Sequence, residues 1–79
     1  MNEEDHIQEI IMEQLDIDES LWHRNLTFDE LAVDSLQLLE LVVNLEQAFD
    51  LDLDDEKLAD CETVGEAMDL VLASLGADL

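Results

Sequence analysis

Proline is absent from the 79-residue chain, glycine occurs only at Gly65 and Gly76, and cysteine only at Cys61. Few backbone breakers disfavour a turn-rich sandwich and favour helices. A lone cysteine closes no internal disulfide, and no C-x-x-C spacing is present to hold a metal, so the pattern suits a reducing cytoplasm. Aromatic residues supply only 4% of the chain, so the core must be aliphatic. The scarcest property is positive charge: Arg24 and Lys57 face 23 acids, a formal net charge of −21. Nucleic acid and anionic membrane surfaces both require clustered Lys and Arg and are excluded as partners; basic protein surfaces remain attractive. Self-repulsion must strain the compact state, so salt or divalent cations are expected to raise stability. The residues after Met1 are acidic, unlike a signal peptide, and no apolar run approaches the roughly 18 residues of a membrane span, so a cytoplasmic, soluble protein is expected.

What is present is leucine-rich helical patterning. Hydrophobic residues make up 48% of the sequence, enough for one modest core, and the length allows one domain over residues 1–79. Ile7, Ile10, Ile11 and Leu15 recur at helical spacing and predict a first helix from Glu3 to Leu15, with Asn2 as N-cap. Residues 16–33 form a long connection without sustained period; its apolar residues, including Leu21, Trp22, Leu26, Phe28 and Leu31, are expected to pack onto the bundle, with a turn of helix around Ser20 to His23. A second helix is predicted from Ser35 to Phe49, opened by a capping box of Asp34 and Gln37. Leu38, Leu41, Val42, Leu45 and Phe49 form its core face, while Leu36, Leu39 and Val43 form a neighbouring apolar stripe beyond one core's needs. The alternation from Asp50 to Asp54 resembles a strand but has no partner to pair with and is read as loop. A short helix over Asp55 to Ala59 and a last helix, boxed by Thr63 and Glu66 and ending near Leu75 before Gly76, complete the chain. The buried face of the last helix is expected to be Val64, Ala67, Met68, Val71 and Leu75. The fold class is therefore all-α, a small four-helix bundle of three longer helices and one short one, with a long loop between the first and second.

Ser35 is the one residue whose setting points to chemistry. Catalysis by Ser35 itself would need a nearby base, and His6 and His23 have no triad context, so a self-contained hydrolase is not expected. A serine in the first turn of a capped helix, preceded by Asp34 and followed by an apolar stripe, instead suits a modification site. A phosphodiester there would face the positive end of the helix dipole and the unpaired N–H groups of the first turn.

The run Phe28-Asp29-Glu30-Leu31-Ala32-Val33-Asp34-Ser35-Leu36, followed by Glu40-Leu41-Val42, Leu45-Glu46 and Phe49-Asp50, resembles the acyl carrier protein family. The likeness extends from Ile7 to about Leu75, with Glu13-Gln14-Leu15 and Thr63-Val64 also matching. It implies a monomeric carrier that is not an enzyme, to whose Ser35 a phosphopantetheinyl transferase joins 4′-phosphopantetheine from coenzyme A, using magnesium. Acyl groups would then ride as thioesters and be presented to acyl-loading and acyl-processing enzymes with basic patches, in polyketide, other specialised or fatty-acid biosynthesis. By the same resemblance Asp34 caps the helix and helps place magnesium, and Leu36, Leu39, Glu40, Val43 and Glu46 form the partner-facing surface. Ala32 stands at the usual glycine of the family's Leu-Gly-x-Asp-Ser-Leu segment, Asp54 at a frequent proline, and Leu38 at a small polar residue, a departure that leans toward polyketide or specialised pathways.

Rival readings are a peptidyl or D-alanyl carrier, which shares the scaffold and the serine, and an unmodified acidic protein mimicking nucleic acid, which accounts for the charge but not for Asp34-Ser35-Leu36. Asp50, Asp52 and Asp54 imitate the start of an EF-hand loop, but Asp55 stands where glycine is needed and Cys61 where the bidentate glutamate belongs, so no metal site is expected. Cys61 falls at a position the family keeps apolar and is expected to be a buried structural thiol.

Overall fold

The computed structural model describes residues 2–76. Among these residues four helices form: α1 Glu3–Leu15, α2 Ser35–Phe49, α3 Asp55–Ala59 and α4 Val64–Gly76, with a 3₁₀ turn at Glu19–Leu21. α1 packs on α2 and α4, and the short α3 bridges α2 and α4, in a body of 34 × 28 × 19 Å. The apolar stripes meet as their spacing requires. Ile7 and Ile11 of α1, Leu41, Val42 and Leu45 of α2, Leu58 of α3, and Val64, Ala67, Met68 and Val71 of α4 are buried together with Ile17, Phe28 and Leu53 from the loops. Each fully buried Leu or Ile contributes roughly 1.5–3 kcal/mol. Among the described residues no polar or charged side chain is buried, so no described carboxylate is taken wholly out of water. Leu38, Phe49 and Leu75, expected in the core, pack only at its margin and are half-buried.

Asn2 caps α1 by accepting the Asp5 N–H at 2.8 Å. At its other end Asp16 takes the left-handed conformation (φ 56°), the Asp16 N–H donates to Glu13 O and the Ile17 N–H to Met12 O, which turns Ile17 into the core. α2 ends in the same way at Asp50 (φ 52°), where the Leu51 N–H donates to Glu46 O. Asp54 caps α3, accepting the Glu56 and Lys57 N–H groups. Two of the three aspartates that imitate a calcium loop are thus helix ends.

The connection between α1 and α2 is more ordered than its sequence pattern implies. The turn begins one residue earlier than expected, at Glu19, because the Asp18 carboxylate accepts both the N–H and the hydroxyl of Ser20 at 2.9 Å. Those two bonds hold the Asp18 carboxyl below the usual range. Leu21 does not pack onto the bundle but is 65% exposed. Further along, Thr27 pairs with Thr63 in an isolated antiparallel bridge. Around it Phe28 N–H donates to Glu62 O (3.0 Å), Val64 N–H to Leu26 O (2.9 Å) and Gly65 N–H to Arg24 O (2.9 Å).

Two features of α4 differ from expectation. Thr63 accepts the Glu66 N–H at 3.1 Å, but the Glu66 carboxylate closes on the Glu62 N–H (2.8 Å), one residue before the cap. Gly76 lies within the helix as its last described residue instead of closing it in a left-handed turn. Gly65 carries the steric role: a β-carbon there would stand 2.8 Å from the Arg24 carbonyl oxygen and 2.9 Å from its Cβ.

Candidate functional site

The approach to Ser35 is a single helical turn. Thr27 and Glu30 form their own reciprocal box, Thr27 Oγ1 accepting the Glu30 N–H and the Glu30 carboxylate the Thr27 N–H, both at 3.0 Å. The turn ends with Ala32 N–H donating to Asp29 O and Val33 N–H to Phe28 O, both at 3.1 Å, and Ala32 in the left-handed region (φ 55°). Phe28 buries its ring in the core and anchors the turn. This Thr-x-x-Glu signature was readable in the sequence, whereas Ala32 gives no local sign of the backbone it must adopt.

From there the chain enters α2 through extended backbone at Asp34 (φ −94°, ψ 177°). Asp34 Oδ1 accepts the Gln37 N–H at 2.8 Å, and Gln37 Oε1 accepts the Asp34 N–H at 3.2 Å. Leu38 N–H donates to Asp34 O at 3.0 Å, so the helix is hydrogen-bonded from its first possible residue. Ser35 is exposed at the first helical position. Its N–H and that of Leu36 belong to the first turn, which lacks intrahelical acceptors and favours an anion attached nearby.

Two clefts open at Ser35. One of about 450 Å³ lies between the Thr27–Asp34 turn and the α3–α4 connection, with Phe28, Val33 and Leu38 on one side and Cys61 and Glu62 on the other. The second, of about 230 Å³, runs between α2 and α3 and is walled by Leu38, Leu39, Val42 and Ala59. Leu38 lines both. Ala59, Cys61 and Glu62 went unnoticed as neighbours of Ser35 because they arrive from more than twenty residues away in sequence.

Cys61 is half-buried, not buried; its thiol donates to Lys57 O at 3.4 Å. Partial burial, with the nearby Glu66 and Asp60 carboxylates, pushes the thiol above its ordinary pKa and keeps it protonated. No histidine lines either cleft: His6 meets Phe49 in a tilted pair, ring centroids 4.9 Å apart and planes at 60°, in the α1–α2 groove. Neither histidine is therefore placed to serve Ser35 as a general base.

The stripe beyond Ser35 faces solvent, with Leu36 63%, Leu39 50% and Val43 42% exposed. Glu40 lies in the same helix and accepts a hydrogen bond from Gln14 of α1 at 3.3 Å; Gln14 in turn accepts one from Asn44. Glu46 is half-buried, and its carboxylate holds the Leu53 N–H at 2.9 Å, fastening the α2–α3 loop. Arg24, to which no role was given from sequence, bonds Asp69 at 2.7 Å and Gly65 O at 3.2 Å and reaches Glu4 at 4.0 Å. The Asp69 hydrogen bond and charge raise the guanidinium pKa further.

An exposed serine hydroxyl, donors in the first turn and two clefts opening beside it fit a phosphate-linked arm at Ser35. Residues 5–71 match the family described as a phosphopantetheine attachment site. An acyl carrier protein of Picosynechococcus sp. is 38% identical over 81 residues, covering 99% of this chain and 100% of the relative. An acyl carrier protein of Thermotoga maritima superposes with a TM-score of 0.77 at 28% identity, over 95% of this chain and 88% of the other. A holo acyl carrier protein of Geobacter metallireducens gives a TM-score of 0.78 at 26% identity, over 99% and 91% of the two chains. With the family match spanning residues 5–71 and a 38% identical relative covering nearly the whole chain, the chain belongs to the phosphopantetheine-attachment family of acyl carrier proteins.

Proposed function

We propose that Ser35 is the residue of this chain that bears the arm. Members of the family are carriers, not enzymes, and hold a covalent 4′-phosphopantetheine. The observation that carries the assignment is the position of the Ser35 hydroxyl: exposed, at the head of a boxed helix, and at the mouth of two clefts. The group, when attached, supplies a terminal thiol on which an acyl chain is held as a thioester. The chain's own residues do the rest. The first-turn N–H groups favour the phosphodiester charge. Asp34 fixes the helix start and offers its free carboxylate oxygen toward magnesium during attachment by a phosphopantetheinyl transferase.

Leu36, Leu39 and Val43, with Glu40, form the proposed face for acyl-loading and acyl-processing enzymes. Glu46 contributes charge to that region while engaged on Leu53. Acidic surroundings steer basic enzyme patches to the carrier quickly, and a small apolar stripe releases them readily, as a carrier serving several enzymes requires. The pathway we assign is polyketide, other specialised or fatty-acid biosynthesis. Bulky Leu38 between the clefts supports the lean to the first two. A reducing cytoplasm suits the single protonated Cys61, and the carrier is read as a monomer. No helix among the described residues is long and apolar enough to cross a membrane.

Intact mass after incubation with coenzyme A, magnesium and a broad-specificity phosphopantetheinyl transferase tests the assignment. One phosphopantetheine mass gain is expected on the unmutated chain and none on Ser35→Ala. No gain on the former, or an equal gain on both, overturns it.

A further inference from the structure

We propose that Arg24 is an electrostatic latch that holds closed the wall of the cleft beside Ser35. It concerns the chain before any group is attached and stands apart from the assignment of Ser35. Arg24 is one of only two Lys or Arg residues in a chain of net charge −21. Its guanidinium sits across the start of α4, bonding the Gly65 carbonyl and Asp69 and facing Glu4 of α1. Its backbone carbonyl accepts the Gly65 N–H, an approach that only the missing β-carbon of Gly65 permits. Arg24 is therefore the outer end of a short zipper that continues through Val64 N–H to Leu26 O and Phe28 N–H to Glu62 O.

That zipper joins the two walls of the larger cleft. Thr27 and Phe28 belong to one wall, Cys61 and Glu62 to the other, and Ser35 lies at its mouth. Opening from the Arg24 end separates residues 24–28 from 62–65 and widens the cleft, while α2 stays capped by its own Asp34 box. The Phe28 and Val64 side chains stay anchored in the core while their backbone bonds open, so the exposed ion pair governs the end from which the zipper peels.

Salt then acts in opposite senses on two parts of one molecule. It screens the repulsion among the 23 acids and stabilises the whole, yet it screens the exposed Arg24–Asp69 attraction and loosens the latch. Breaking an exposed pair changes an opening equilibrium by about two- to fivefold.

Amide hydrogen exchange of the unmodified chain, read residue by residue at low and high sodium chloride, tests the latch. In the unmutated chain, exchange at Phe28, Val64 and Gly65 is expected to quicken with salt relative to Leu41 and Leu45 in α2. Arg24→Ala, and Asp69→Asn as the nearly isosteric alternative, should quicken those three amides about two- to fivefold at low salt and abolish their separate salt response. Arg24→Lys should restore part of both. Uniform acceleration of all amides, no acceleration, or a salt response that persists at the zipper in both variants would each overturn the proposal.

Discussion

Replacing Ala32 by glycine should stabilise the fold, although it removes a methyl group and adds freedom to the unfolded chain. Ala32 has φ 55° and an exposed side chain, so the methyl packs against nothing in the core. For an L-residue the left-handed conformation costs roughly 1–2 kcal/mol, from the approach of Cβ to the carbonyl oxygen. Glycine abolishes that cost but adds unfolded-state entropy worth about 0.4–1 kcal/mol. The difference leaves a net gain of about 0.5–1 kcal/mol for Ala32→Gly, which in a domain this small is a rise in Tm of roughly 2–8 °C. Neither hydrogen bond that closes the turn, Ala32 N–H to Asp29 O or Val33 N–H to Phe28 O, depends on the side chain. A D-alanine at the same position, introduced by chemical synthesis, favours positive φ without loosening the unfolded chain, and should recover the whole of roughly 1–2 kcal/mol. Urea and thermal unfolding followed by circular dichroism at one fixed ionic strength measure all three proteins. A glycine variant no more stable than the parent, or a D-alanine variant no better than glycine, refutes the reasoning.

Gly65→Ala should destabilise despite alanine's better helix propensity: overpacking against the Arg24 backbone costs about 1–3 kcal/mol, against a propensity gain of about 1 kcal/mol. A higher urea midpoint for Gly65→Ala would contradict this. Asp34→Ala should lose the cap and about 0.5–2 kcal/mol, whereas Asp34→Asn should keep the stability because Asn caps as well as Asp. If the carboxylate also places magnesium, Asp34→Asn slows phosphopantetheine attachment without lowering the urea midpoint; attachment at the unmutated rate removes that role. Cys61, held protonated by partial burial, Glu66 and Asp60, should react with iodoacetamide at pH 8 more slowly in the folded chain than in urea, since the thiolate is the nucleophile. Its folded pKa is raised, so the stability it contributes is present below the ordinary thiol pKa and is lost as pH rises through the folded value. Equal or faster alkylation in the folded chain would contradict the shift.

The sequence by itself determined the helices, because each is written in local terms: Ile7 and Ile11 repeat at helical spacing, Asn2, Asp34 and Asp54 sit where a helix needs an oxygen acceptor, and the apolar stripe of α2 exceeds what one core can bury. Ser35 was legible for the same reason, since its position at a capped helix start depends on its immediate neighbours. Helix ends were less legible. Left-handed closure fell to Asp16 and Asp50 instead of glycine, and Gly65 proved necessary for close packing against Arg24. Only the tertiary structure decided what long-range contact decides: the zipper between residues 24–28 and 62–65, the Arg24 bond to Asp69, and the second wall of the cleft at Ser35. It also showed Glu46 engaged on Leu53 and Leu21 left in solvent. Periodicity encodes which face of an element is apolar; which distant backbone and which single arginine will meet that element is settled only when all four helices pack around one core.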